Sequence, residues 1–227
     1  MTARIAMATV LLLLSSSLLG CEKDAPSAPR RAQLVYVAMG ASDAVGIGAF
    51  PLSNGYVYKI RDGLQGRADE VILYNLGVSG VHVSYLEEIE LPTALARQPD
   101  VVTIWTGPND LIHGTPAADF ERSLSSVFAQ LRRQTGAFLV MANVPDLMKL
   151  PRFLLQPDPD VTMARILAFN DAILRQTAAY RIPLIDLFAG DYAAEWEYVS
   201  LDGFHPSNKG HAKLAALYLD MILPGLD

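Results

Sequence analysis

The chain has 227 residues, 51% of them hydrophobic and 19% charged, which suits one domain with a sizeable buried core. Its net charge is −6 and its only basic doublets are Arg30-Arg31 and Arg132-Arg133, both read as solvated surface charge. That excludes a nucleic-acid partner, because phosphate binding needs clustered Lys and Arg. One cysteine leaves no intramolecular disulfide and no zinc cluster, so no metal and no cofactor are expected.

Residues 1–20 read as a secretory signal: Arg4 opens a short basic start, and Ile5 to Leu14 is apolar. Leu18-Leu19-Gly20-Cys21 follows and resembles the lipobox of bacterial lipoproteins. The resemblance implies cleavage before Cys21, a diacylglyceryl group on its sulfur, and a membrane partner through that lipid. The exported chain would then be lipid-anchored in the cell envelope, and Glu22 after Cys21 favours the outer membrane. An ordinary signal peptide with a chance cysteine, or an uncleaved anchor, stands beside this reading. The apolar run is short for a spanning helix, which takes about 20 residues. Residues 21–32 are polar, carry Pro26 and Pro29, and read as a flexible tether to a domain over 33–227.

From Gln33 on, short apolar runs alternate with helical patterns. The runs at Leu34–Met39, Val71–Leu76, Val101–Trp105, Phe138–Ala142 and Pro183–Leu187 suit strands buried on both faces of a parallel sheet. Helices are expected at Tyr56–Leu64, Val83–Ala96 (interrupted by Pro92), Ala117–Gln134, Val161–Tyr180 and Ser207–Leu223. The clearest is Ala117–Gln134, with Phe120, Leu124, Val127, Phe128 and Leu131 on one face. The alternation predicts right-handed βαβ crossovers and a three-layer α/β/α domain. Ligand sites in such sheets form at the carboxyl ends of the strands.

Four blocks lie at those ends or at a helix start: Gly40-Ala41-Ser42-Asp43, Asn75-Leu76-Gly77, Gly107-Pro108-Asn109-Asp110 and Asp202-Gly203-Phe204-His205. Together they offer a nucleophile, oxyanion donors, a base and a residue to orient the base, the four roles of acyl transfer. Ser42 alone could be a helix cap. Asn109 and Gly77 alone could be turn residues, and Asp-x-x-His is common by coincidence. The glycines near Ser42 fit neither Gly-x-Gly-x-x-Gly nor a Gly-Lys-Ser/Thr loop. Nor do they fit Gly-x-Ser-x-Gly, because Ala44 stands at the last glycine.

The four blocks in this order resemble those of the SGNH hydrolases, also called the GDSL esterase/lipase family, over Gln33 to Leu223. The resemblance implies a flavodoxin-like parallel five-stranded sheet. It implies a catalytic triad of Ser42, His205 and Asp202, and an oxyanion hole from the Ser42 and Gly77 amides and the Asn109 side chain. It departs at one place: the family's Gly-Asp-Ser is Gly40-Ala41-Ser42 here, and Asp43 or Asp110 is expected to compensate.

A serine esterase or lipase acting on acyl esters or thioesters is the leading reading. A non-catalytic envelope lipoprotein that binds carbohydrate or lipid is a second, and an O-acetylesterase or acyltransferase on envelope polysaccharide a third. No protein partner is expected. His82 and His113 could reach the site, His211 is expected solvated or packed, and Asp186 is expected to be structural. The apolar segment Val144–Pro159 reads equally as a lid or acyl pocket and as a loop packed on the fold.

Overall fold

A computed structural model describes residues 31–226. The signal segment, Cys21 and most of the expected tether lie outside them. The last two tether residues do not: strand β1 (Arg31–Gly40) already includes Arg31 and Ala32, and Arg31 pairs with Asp100 across to the next crossover. Among the described residues no helix is long and apolar enough to cross a membrane.

Five parallel strands form one sheet in the order β2-β1-β3-β4-β5: β1, β2 (Ala68–Asn75), β3 (Val101–Trp105), β4 (Phe138–Ala142) and β5 (Leu184–Ile185). This is the expected flavodoxin-like order, which reverses direction between β1 and β3. The central strands are buried on both faces, so their sequences run Val, Ile, Leu and Met without alternation. β5 keeps only two paired residues of the expected five, because it is an edge strand held by β4 alone.

The helices cover both faces. On one side α6 (Ala117–Gln134) and α8 (Met163–Tyr180) pack Phe120, Leu124, Phe128, Phe169 and Ile173 against Val37, Met39, Val102 and Ile104. On the other, α2 (Tyr56–Leu64) and α9 (Asn208–Gly225) pack Tyr56, Ile60, Leu64 and Tyr218 against Tyr36, Ala38 and Val140. The helix expected over Val83–Ala96 continues past Pro92, because proline sits in the first turn of α4 (Leu91–Ala96), where its missing N–H costs little. Before it come α3 (Val83–Tyr85) and one π-helical turn, Leu86–Glu90. Two short helices, α1 (Ser42–Val45) and α5 (Pro108–Ile112), start straight after β1 and β3, and a third, α7 (Pro151–Leu155), precedes α8.

Candidate active site

The sharp turn from β1 into α1 sets Ser42 at the first helical position, 4% exposed. Its Oγ lies 2.9 Å from His205 Nε2, 163 residues away in sequence. His205 Nδ1 lies 2.6 Å from Asp202 Oδ2. The other carboxylate oxygen, Oδ1, accepts from the His205 amide, the Phe204 amide and the Ser200 hydroxyl. Burial raises the Asp202 carboxyl, but these hydrogen bonds outweigh it and hold the group at about 2. A carboxylate on Nδ1 fixes the proton there and leaves Nε2 free to accept the Ser42 proton. The loop is anchored downstream by Ser207, whose hydroxyl accepts from the Gly210 amide and caps α9.

The donors around Ser42 differ from expectation at one position. Gly77 packs against α1 so closely that an added Cβ would lie 2.6 Å from Ala44 Cβ and 3.0 Å from Ala41 O. Its N–H is already given to Asn75 Oδ1 at 3.1 Å, while Asn75 Nδ2 donates to Ala44 O. Gly77 is therefore a close-packing glycine, not a free donor. Three residues on, the exposed Gly80 amide donates to no partner among the described residues, and neither does the Ser42 amide. The loop between runs past both neighbours: Val78 N–H donates to Gly40 O, and Asn109 Nδ2 donates to Val81 O at 2.9 Å. Asn109 keeps a second amide hydrogen, so the Ser42 and Gly80 amides and the Asn109 side chain each hold a donor hydrogen with no partner among the described residues.

Neither carboxylate expected to replace the missing aspartate holds the Gly40–Ser42 backbone. Asp110 instead accepts the Val83 amide and is raised to about 6 by burial. Asp43 lies beside the cleft and is also raised to about 6 by burial, against the pull of His205. The residue that does hold this backbone is Glu90, whose Oε2 accepts the Gly40 amide at 2.9 Å. Its signal was available in the sequence: Val83, Leu86, Glu90 and Ala94 recur at helical spacing, and only Glu90 among them is not apolar.

The other candidates separate cleanly. His211 is fully buried; its Nδ1 accepts the Tyr56 amide and its Nε2 donates to Ile47 O. His82 and His113 stack at 5.0 Å beside Asn109, with His113 Nδ1 donating to Asn109 O. Asp186 is structural, accepting from Asn143 Nδ2 and the Ala189 amide. An apolar cavity opens beside His205, lined by Trp105, Leu147, Leu150, Tyr198, Phe204 and Leu214. The segment Val144–Pro159 thus supplies a wall of that cavity through Leu147 and Leu150. It also packs on the fold, through Phe153 against Phe204.

The family model described as "GDSL-like Lipase/Acylhydrolase family" matches residues 38–213. The chain belongs to this family and is a serine ester hydrolase by class. The spore germination lipase LipC of Bacillus licheniformis is 27% identical over 198 residues, covering 80% of this chain and 93% of that protein. Among solved structures, a putative GDSL-like lipase from Parabacteroides merdae superposes with a TM-score of 0.70 at 20% identity. That match covers 88% of this chain and 99% of the other. The esterase EstA from Pseudoalteromonas sp. gives 0.67 at 18%, covering 85% and 98%. At these identities the two structures share the fold with this chain.

Proposed function

We propose that Ser42, His205 and Asp202 act as a catalytic triad that hydrolyses carboxylic esters or thioesters through an acyl-enzyme. His205 Nε2 takes the Ser42 proton as Oγ attacks the carbonyl carbon. The oxyanion is held by the Ser42 and Gly80 amides and the Asn109 side chain. The imidazolium then protonates the leaving alcohol or thiol, and the C–O or C–S bond breaks. Water attacks the acyl-enzyme by the same steps in reverse, and Ser42 regains its proton. The observation that carries this reading is the unbroken contact from Asp202 to His205 to Ser42. The apolar cavity beside His205 supports an acyl group as the part recognised, as do relatives named as a lipase and an esterase.

The test is hydrolysis of p-nitrophenyl esters from acetyl to palmitoyl by the wild type and Ser42→Ala. Activity lost in the variant is expected; a variant that keeps most of it sinks the assignment. The chain-length optimum then separates a short-acyl esterase from a lipase. The lipobox-like sequence supports a second part of the proposal, anchoring to the cell envelope through lipid on Cys21. Cys21→Ser should leave the membrane fraction; a variant that stays there without detergent refutes the anchor.

A further inference from the structure

Glu90 stands 48 residues after Ser42 in the sequence, on the last residue of the π-helical turn, and is 2% exposed. The nucleophile loop is where its carboxyl ends. Gly40 closes β1, two residues before Ser42. Its carbonyl continues the parallel ladder with β2, accepting from the Val78 amide at 3.3 Å. In a parallel ladder the Gly40 N–H would donate to Leu76 O. That bond is not made among the described residues; Glu90 Oε2 takes the donor at 2.9 Å. A side chain has replaced a backbone acceptor at the point where β2 turns away from β1.

The exchange is costly for packing alone. Around the turn lie Val83, Leu86, Leu91 and Ala94, all buried and apolar. The second oxygen, Oε1, is buried with no hydrogen-bond partner. A buried acid in such surroundings is stabilising only if the one bond it makes matters. Burial raises the carboxyl to about 8 against the pull of the Gly40 N–H, so the group is mostly protonated at neutral pH. Gly40 lies close against β3, where an added Cβ would meet Trp105 O at 2.6 Å, so no side chain of its own could hold this turn. Ala41, the next residue, has no polar side chain to hold the turn, and its carbonyl is occupied by the Ala44 and Val45 amides.

We infer that Glu90 is a positioning residue for the esterase reaction: by holding the Gly40 amide where β2 leaves the sheet, it fixes the turn that presents Ser42 to His205. The inference rests on the triad reading above. Glu90 touches no reacting atom and acts through Gly40.

The experiment compares Glu90→Gln with Glu90→Leu in the full chain, measuring kcat, KM and the rate of covalent labelling by a fluorophosphonate. Gln keeps an oxygen for the Gly40 N–H in a neutral group of the same shape, and its activity should stay near wild type. Leu removes the acceptor; kcat and the labelling rate should fall together by about 10- to 100-fold, as misplacement of a nucleophile by about 1 Å does. KM should stay within about twofold, since substrate contacts are unchanged. Should the Leu variant fail to fold, Glu90→Asp takes its place. One methylene shorter, it cannot reach Gly40, and the same kcat loss is expected. Wild-type kcat and labelling in whichever of these two folds, with only a lower Tm, overturns the inference. Retained activity in Ser42→Ala would instead overturn the triad itself, so the two failures are distinguishable.

Discussion

Asp202 grips His205 twice: Oδ2 meets the ring Nδ1 at 2.6 Å, and Oδ1 accepts the amide of the same residue at 2.9 Å. One carboxylate therefore fixes the tautomer of the base and the backbone that carries it. Asp202→Asn keeps the shape but can offer N–H to Nδ1, which favours the wrong tautomer. We expect kcat to fall by about 10³- to 10⁴-fold, as in other triads with this change. Loss of less than about tenfold would mean that Asp202 only shapes the loop. The depressed Asp202 carboxyl also contributes stability that is full above pH 3.8 and is lost as pH falls toward about 2. Acid unfolding of the Asn variant should lack that limb.

Asn109 donates one amide hydrogen to Val81 O and has the other free. Asn109→Ala should lower kcat by about 10²- to 10³-fold while leaving KM for short esters nearly unchanged. A KM effect without a kcat effect would move Asn109 from the oxyanion to ground-state binding.

Gly77 and Gly80 make opposite predictions. Ala at Gly77 places a Cβ 2.6 Å from Ala44 Cβ, against the helix that carries Ser42, and should lower both Tm and kcat. Ala at Gly80 meets open space and keeps its N–H; its φ of +81° costs about 1–2 kcal/mol, and activity per folded molecule should be near wild type. A dead Gly80→Ala beside an active Gly77→Ala would reverse the roles assigned to them.

The sequence made the fold legible where one force dominated. Tyr56–Leu64, Ala117–Gln134, Val101–Trp105 and Phe138–Ala142 have the bounds that periodicity and burial predict. Ser42, Asn109, Asp202 and His205 stand out in the sequence because each follows a strand or precedes a helix in a chemically loaded block, and the fold brings Ser42, His205 and Asp202 into contact. Glu90 was legible only as a polar residue on an apolar helical stripe; its role was not, because that depends on β2 leaving the sheet at Leu76, a tertiary event. Gly77 was misjudged for a related reason. A glycine after a strand can free an amide or admit a neighbour, and only the position of Ala44 decides which.

Glu90 also gives the folded state a pH dependence of unusual sign. The unfolded chain loses this proton near 4.5 and the folded chain near 8. Between these values the folded state holds the extra proton, so stability falls as pH rises, by up to about 1.4 kcal/mol per pH unit. Tyr56, the phenol that feels the Glu90 charge, is pushed far up by burial and stays neutral throughout. Urea unfolding of the wild type from pH 5 to 8 should show this slope, and Glu90→Gln should remove it. Equal slopes in the two proteins would show that Glu90 ionises freely.

His211 works in the other direction. Its ring bridges the Tyr56 amide and Ile47 O, which ties the start of α2 and the end of the nucleophile turn to α9. Nδ1 must accept and Nε2 must donate, so only the neutral ring fits, and burial lowers its pKa below 6.5. Below that pH the unfolded chain takes up a proton that the folded chain refuses, so stability falls as pH falls. His211→Leu leaves the buried Tyr56 amide unpaired and frees the part-buried Ile47 carbonyl, and should cost about 1–3 kcal/mol at pH 7.5. Relative to wild type that loss should shrink as pH drops from 6.5 to 5, because the leucine variant has no proton to refuse. A constant difference across this range would mean that the folded state accommodates the imidazolium, and that the bridge to Tyr56 opens without unfolding.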